Sequence, residues 1–222
     1  MVTTSHVVKK IIDSTPKIQE AMIENIVNYA NLAEKIQPKI ESELGKKVKK
    51  STIRMALRRH SKNLKQKTQV NKKFIFETEI IMKTNLCDIC IVKTPSSLDK
   101  IKKIYQLIDY NKGDTLNVIQ GNYQITIVVS QKHLEKIKKI LNKENILNIE
   151  SNLVSLTLDL TKDFLYTPGI IAYITRKLSW ENINIFENIS TMTELIFILD
   201  EKDAVRAYES LKKVIKTKEH KK

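Results

Sequence analysis

A proline-glycine pair stands at the beginning of the stretch "TPGIIAYITRKL", between a predicted strand and a predicted helix. Glycine lets the backbone adopt a positive φ and approach a ligand closely, and proline is favoured in the first turn of a helix. The chain has four glycines, so a glycine at this position is informative. The pair Pro168-Gly169 therefore predicts either a simple helix start or the edge of a small-molecule site.

A second set of residues could bind phosphate or base edges. The basic turn "KKVKK" precedes "STIRMALRRHSKNL", in which Ser51 is the predicted N-cap and Ile53, Leu57 and Leu64 form a narrow apolar stripe. Arginine pairs bidentately with guanine or phosphate, and lysines near the backbone position a protein without reading sequence. The predicted DNA-binding residues are Lys46, Lys47, Lys49, Lys50, Ser51, Thr52, Arg54, Arg58, Arg59 and Lys62. The alternative is a solvated helical bundle whose arginines bind nothing.

Catalytic and cofactor chemistry finds no support in the sequence. The histidines are scattered, at positions 6, 60, 133 and 220, and glycines at 45, 113, 121 and 169 cannot form a phosphate-binding or dinucleotide loop. Cys87 and Cys90 form a lone C-x-x-C, and strand residues three apart face opposite sides of a sheet. We therefore expect two strand cysteines, no metal, no cofactor and no enzymatic activity.

The charge of the chain is concentrated at one end. The chain has 222 residues, 41% of them hydrophobic, and a formal net charge of +14. Residues 1–70 contain 15 Lys and Arg against 6 Asp and Glu, whereas residues 151–222 contain 11 against 10. A localised basic region favours a nucleic-acid or anionic partner. No secretory signal is visible and no apolar run could span a bilayer, so we expect a cytoplasmic protein without a membrane partner.

Periodicity predicts an α+β chain in three blocks. Residues 1–65 are helical, with Pro38 predicted to bend or restart one helix and Gly45 to end it, and residues 66–83 are a linker, wing or spare strand. Residues 84–150 and 151–222 show similar β-α-β-β-α patterns, about 70 residues apart, with a basic tail at the end. This repeat predicts two ferredoxin-like βαββαβ domains. The last block lacks its final strand, and "FIFETEI" at 74–80 is a candidate donor.

The segments "TPGIIAYITRKLSWENINIFENIS" and "TELIFILDEKDAVRAYESL" resemble the ACT domain, the regulatory module of aspartokinases and other amino-acid-regulated enzymes. The resemblance covers residues 150–216 well and 84–149 more loosely. It implies a paired assembly that binds an amino acid where the first strand meets the first helix. The ligand-binding residues that it implies are Asp163, Tyr166, Thr167, Pro168, Gly169, Ile170 and Asn184. Helix N-terminal amides suit an α-carboxylate, and Asp163 suits the ammonium. The first repeat lacks the loop and its glycine.

A basic helical head joined to two sensor domains predicts an amino-acid-responsive transcriptional regulator that binds DNA as a homodimer. Two alternatives stay open. One is a non-catalytic regulatory subunit that binds an amino acid and controls a biosynthetic enzyme, with the head contacting protein. The other is an RNA-binding protein. A head that contacts phosphates should bind more weakly as salt is added, whereas a protein-docking head should be less sensitive.

Overall fold

Four helices form the N-terminal unit, residues 1–73, which we call the head. They are α1 (Thr4–Asp13), α2 (Pro16–Ile23), α3 (Tyr29–Leu44) and α4 (Lys50–Lys67). The structure, a computed structural model, describes residues 2–67, 76–160, 164, 166–213 and 215–216 of the chain. The apolar faces of the four head helices meet in one core that includes Ile12, Met22, Ile40 and Leu57. The predicted apolar stripe of α4 belongs to this core: Ile53 and Leu57 are buried and Leu64 packs against them.

Of the two alternatives predicted for Pro38, a bend or a restart of the helix, the structure excludes the restart, and at Ser51 it differs from the prediction. α3 continues through Pro38 as a single helix, and Gly45 ends it with φ of 65° as predicted. Ser51 is not the N-cap of α4, because the helix begins at Lys50 and the N–H groups of Thr52 and Ile53 donate to the carbonyl of Lys49. The turn before α4 is held by Val48, the residue before Lys49, because its N–H donates to the Glu41 carboxylate at 2.8 Å.

Residues 74–222 form the second compact unit, built around one six-stranded antiparallel sheet. Its strands are β2 (Ile80–Val92), β3 (Leu116–Gln120), β4 (Gln124–Ser130), β5 (Ile146–Asp159), β6 (Glu187–Ser190) and β7 (Glu194–Asp200), in the order β3-β4-β2-β5-β7-β6. The helices are α5 (Pro95–Tyr105), α6 (Leu134–Ile140), α7 (Ile170–Trp180) and α8 (Ala204–Lys212). The short strands β1 (Phe76–Glu77) and β8 (Ile215–Lys216) pair in parallel beside it.

The two predicted repeats share this sheet, because β2 and β5 are each long enough to serve both. Residues 86–92 of β2 pair with β4 in the first half, whereas residues 80–83 pair with Leu158 to Ser155 of β5 in the second half. The missing fourth strand of the second half is therefore Ile80–Lys83, just after most of the predicted donor segment. Residues 68–75, which include the start of that segment, lie outside the described residues.

Two register shifts keep both helical layers on the same face of the sheet. Asn85 in β2 and Asn152 in β5 have φ of 56° and 57°, and an extra residue falls at each position. Leu86 and Leu153 pair with each other on one face, so Cys87 and Val154 point to the other. Cys87 packs with α5 and α6, and Val154 packs with α7 and α8. These four helices of the second unit therefore all pack on one face, and we call the opposite face, which none of the four covers, the helix-free face.

The predicted role of the two cysteines agrees with the structure. Both lie in β2 with free thiols, Cys87 buried under the helices and Cys90 half-buried. Among the described residues, no group of three or more His, Cys, Asp or Glu side chains is arranged to hold a metal. Within the same residues, no helix is long and apolar enough to cross a membrane.

The segment Ile80–Lys83, which completes the second half of the sheet, can be tested by comparing substitutions at two adjacent residues. Ile80 packs against the core under α7 and α8, whereas Ile81 points to the other face and is 49% exposed. Ile80→Asp should lower the free energy of unfolding by about 2–3 kcal/mol, because it places a charge against an apolar core. Ile81→Asp should change it by less than about 0.5 kcal/mol. Urea unfolding followed by circular dichroism measures both, and equal effects would contradict the assigned face of this strand.

Candidate functional site

The start of α7 is the predicted amino-acid site, and the structure leaves it without a side-chain cap. Gly169 is the N-cap residue with φ of 85°, and the first turn contains no acidic residue. The Gly169 carbonyl accepts from the Tyr173 N–H at 2.9 Å. The first backbone N–H groups of a helix have no acceptor within the helix. Those of Ile170, Ile171 and Ala172 therefore have no acceptor within α7 and lie at the positive end of the helix dipole.

The other predicted ligand residues are placed unevenly around this helix start. Tyr166 is 82% exposed and Pro168 is exposed, while Thr167 is half-buried and donates its N–H to the Phe164 carbonyl at 3.1 Å. The side chain of Ile170 is 4% exposed and belongs to the core, so only its backbone can face a ligand. Asp163 lies outside the described residues.

Asn184, another predicted ligand residue, does not lie near the start of α7. Asp159, at the end of β5 from which the chain leads to α7, pairs with Glu194, whereas Glu187 of β6 pairs with Ile198, four residues further along β7. Asn184 precedes Glu187 in the chain and is exposed. It therefore lies at the opposite end of the sheet from the start of α7. A crossover helix returns the chain across the sheet before β6 begins, and sequence spacing alone did not show this direction.

The corresponding helix of the first half, α5, already has a carboxylate at its start. Thr94 is the N-cap and forms a capping box with Ser97. The Glu144 carboxylate accepts from the Ser96 hydroxyl at 2.6 Å and the Thr94 hydroxyl at 3.2 Å, and pairs with the Lys100 ammonium at 2.7 Å. The hydrogen bond and charge of Lys100 hold the pKa of Glu144 below its usual value. One helix start is thus occupied by a carboxylate of the protein, whereas no described side chain caps the other.

The predicted DNA-binding residues lie together on the surface of the head. The lysines of the turn and the polar residues of α4 are all exposed: Lys46, Lys47, Lys49, Lys50, Ser51, Thr52, Arg54, Arg58, Arg59 and Lys62. Two of them are engaged within the head, because Lys50 pairs with Glu34 at 2.6 Å and Arg59 donates to the Ser5 hydroxyl. Arg54, Arg58 and Lys62 are spaced four apart, so they share one face of the helix. None of these three forms an ion pair with another described residue of the chain.

An acidic cluster on the helix-free face was not predicted. Asp88 of β2 is 9% exposed, and its Oδ1 has no hydrogen-bond partner among the described residues. Glu150 lies opposite Asp88 on β5, and Glu187 lies on β6. Burial raises the pKa of Asp88 to about 6, and the charges of Glu187 and then Glu150 add to the increase. No periodic signal marks such a residue, because an aspartate at an outward strand position is the ordinary pattern of a half-exposed sheet.

No protein-family model matches the chain, and none of the curated proteins matches it in sequence. Solved structures do match in fold. The regulatory subunit of aspartate kinase from Thermus thermophilus is 12% identical with a TM-score of 0.51, over 63% of this chain and 97% of that chain. The aspartate kinase from Clostridium acetobutylicum is 22% identical with a TM-score of 0.51, over 64% of this chain and 36% of that chain. The chain thus shares the fold of these structures over about two thirds of its length, which agrees with the fold that the sequence resemblance implies.

The acidic cluster generates a prediction about pH. Because the folded-state pKa of Asp88, about 6, lies above the unfolded value near 3.9, its ionisation opposes folding. The penalty is absent below about pH 4 and complete above about pH 7. We expect Asp88→Asn to be more stable than the wild type at pH 8 by about 2 kcal/mol, and the two to converge near pH 3.

Urea unfolding of both proteins across this pH range measures the difference between them. Comparing variant with wild type removes the opposite pH dependence of carboxylates such as Glu144 and Asp200, whose pKa values are lowered by their bonds to Lys100 and Lys202. A difference that does not vary with pH would contradict the assignment.

Proposed function

We propose that this chain is a non-catalytic regulatory protein that binds an amino acid at the start of α7 and controls a biosynthetic enzyme. The observation on which the proposal rests is the contrast between the two helix starts. The start of α5 is filled by Glu144, whereas the start of α7 has a glycine N-cap, no side-chain cap and no acidic residue in its first turn. Helix N-terminal amides bind carboxylates because their unpaired N–H groups and the helix dipole favour negative charge.

Each half of a free amino acid has a proposed partner. The α-carboxylate accepts hydrogen bonds from the amides of Ile170, Ile171 and Ala172, and Asp163 pairs with the ammonium. The exposed ring of Tyr166 lies three residues before Gly169 and provides apolar surface for a side chain. Pro168 and Gly169 shape the entry to the helix. Asn184 has no part in this site, because it lies at the other end of the sheet.

The likeness to solved regulatory structures supports control of an enzyme rather than catalysis. Three of the matched structures are of aspartate kinase or its regulatory subunit, and the two regulatory subunits are matched over 97% and 98% of their own length. In the proposal, the enzyme that this chain controls is a separate partner. A second copy of the chain is the proposed partner for β3 or β6, the edge strands of the six-stranded sheet.

A carboxylate placed at the α7 start should compete with the ligand. Ala172 is exposed in the first turn, so Ala172→Glu imitates the way in which Glu144 fills the start of α5. An amino acid that binds the wild type should bind this variant at least tenfold more weakly, whereas Ala172→Gln, equal in size and uncharged, should bind within threefold. Calorimetric titration with a panel of amino acids measures the affinities.

The stability of Ala172→Glu without ligand shows whether this variant is still folded. Ala172→Glu should raise the free energy of unfolding by about 0.3–1 kcal/mol, because an acidic side chain is stabilising near a helix N-terminus. A variant that is stable and still binds the amino acid as the wild type does would place the ligand elsewhere. If no amino acid binds the wild type, the proposal fails.

A second candidate function is nucleic-acid binding by the head, favoured by the exposed stripe of Arg54, Arg58 and Lys62 on α4. In this proposal the chain is a ligand-responsive regulator of transcription, with DNA as the partner and RNA as the alternative. The stripe follows a turn that contains four lysines, at positions 46, 47, 49 and 50. Such a surface would contact phosphates through the turn and base edges through the helix.

The double variant Lys46→Ala/Lys49→Ala should weaken DNA binding and reduce the slope of log K against log salt by about 1.8, since each phosphate contact contributes about 0.9. The matched control is Lys9→Ala/Lys39→Ala, which removes the same charge from exposed positions on α1 and α3. Fluorescence anisotropy with duplex DNA over a salt series measures both. Equal losses in the two double variants would indicate attraction to net charge alone, and absence of binding would leave the head as a protein-docking unit.

A further inference from the structure

A cleft opens in the first half of the sheet, at the end away from the start of α5. Its volume is about 660 Å³, which is within the range of small-ligand sites in proteins. Three segments line it: residues 84–85 of β2, residues 112–114 before β3 and residues 130–132 at the end of β4. Ser130 pairs with Leu86 at this end of the strands, whereas α5 follows Val92 at the other end. Residues far apart in the chain therefore converge on one concave surface.

The loop before β3 is held in place by its own hydrogen bonds. The Asp114 side chain is 3% exposed, and its carboxylate accepts from the Asp109 N–H at 3.1 Å and pairs with the His133 ring at 2.7 Å. The Ser130 N–H donates to the Thr115 carbonyl at 3.1 Å, and the Thr115 N–H donates to the Ser130 hydroxyl at 2.9 Å. These bonds join the loop to β4, so the cleft exists before a ligand arrives and binding does not have to order it.

Two ammonium groups belong to the exposed rim of the cleft, those of Lys112 and Lys132. Lys132 pairs with Asp114, and Lys112 pairs with Asp109 at 3.2 Å. The hydrogen bonds from Lys132 and then His133 hold the pKa of Asp114 well below its usual range, so this carboxylate is ionised and anchors Lys132 beside the cleft. An ammonium has three N–H donors. Because each lysine pairs with one carboxylate of the described chain, each has donors left for a ligand.

Two hydroxyl groups of the lining also have a donor to spare. The Thr84 hydroxyl accepts from the Asn85 side-chain amide at 3.2 Å, and the Ser130 hydroxyl accepts from the Thr115 N–H. Each hydroxyl therefore keeps its own proton to donate, and within the described parts of the chain neither proton has an acceptor. The lining as a whole has more free donors than acceptors. An acceptor-rich anion would complete these bonds, whereas a cation would be repelled by the two ammonium groups.

We propose that this cleft binds a small phosphate monoester. Lys112 and Lys132 pair with the phosphate at the rim, and the two hydroxyls donate to its oxygens. Near neutral pH a phosphate monoester has a charge of about −1.5 to −2 and three strong acceptor oxygens, so it can use both ammonium groups at once. The cleft shares no residue with the start of α7, and the proposal does not rest on the function proposed for that helix.

The four glycines of the chain provide a direct test, because each lies in a different region. Gly45 ends α3 in the head, Gly113 lines the cleft, Gly121 is in the hairpin between β3 and β4, and Gly169 is the N-cap of α7. The full chain labelled with ¹⁵N-glycine therefore gives one backbone amide signal for each region in a heteronuclear NMR spectrum. On titration with glycerol 3-phosphate at pH 7.5, we expect the Gly113 signal to shift and to saturate. Glycerol, which lacks the phosphate, should leave all four signals unchanged.

Matched variants test whether the cleft residues hold the phosphate. Lys112→Gln should weaken binding at least about fivefold, because it removes a charge-assisted hydrogen bond. Its control is Lys102→Gln on α5, since both lysines pair with an aspartate three residues earlier and both side chains are 78% exposed. The control should bind within about twofold of the wild type, as expected for an exposed charge outside the site. Thr84→Val replaces the exposed hydroxyl by a methyl group and should weaken binding about threefold.

The proposal is supported if Gly113 alone shifts and if Lys112→Gln loses affinity while Lys102→Gln does not. It is overturned if no saturable shift occurs at Gly113, or if Lys112→Gln binds as the wild type does. A shift at Gly45 or Gly169 without one at Gly113 would place the anion on the head or at the start of α7, and would also overturn it. If succinate binds the cleft more tightly than glycerol 3-phosphate, the ligand is a carboxylate and the proposed class is wrong.

Discussion

The pairing of β2 with β5 is the interaction on which the rest of the second unit depends. These two strands are the longest of the sheet, with 13 and 14 residues, and each contributes one end to each half. The first half cannot complete its sheet without the start of β5, nor the second half without the start of β2. An extra residue in a strand reverses which face the following side chains point to. If only β2 or only β5 contained one, the two strands would no longer present their apolar residues to both helical layers on the same face. The paired shifts at Asn85 and Asn152 cancel, and asparagine tolerates the left-handed backbone that each shift requires.

The local elements were predictable from the sequence because local periodicity determines them. Strands such as β4 and β7, and helices such as α5 and α8, have an uninterrupted period of two or 3.6 residues over their whole length. The sharing of strands was not predictable in the same way. The polar pair Ser151-Asn152 separates "ILNIE" from "LVSLTLDL", so a period-two pattern indicates two strands with a boundary between them. Only long-range pairing shows that the chain continues straight through as β5, and the same holds for Thr84-Asn85 in β2.

The candidate site was predictable where it depends on backbone chemistry and not where it depends on direction across the sheet. Pro168 and Gly169 indicate a helix start, since few residue types suit those two positions. Asn184 was implied by the resemblance to the ACT domain, but a crossover helix moves the chain to the far end of the sheet, so this residue lies away from the start of α7. The two repeats differ at the start of their first helices, α5 and α7. Glu144 occupies the start of α5, so a single chain contains both a self-capped and an uncapped version of the same structural position.

Asp88 shows a constraint that stability alone does not explain. A serine, threonine or valine at this strand position would remove an uncompensated buried charge, and the neighbouring Val128 shows that the face accepts an apolar residue. The adjacent carboxylates make the ionised form still less favourable in the folded protein.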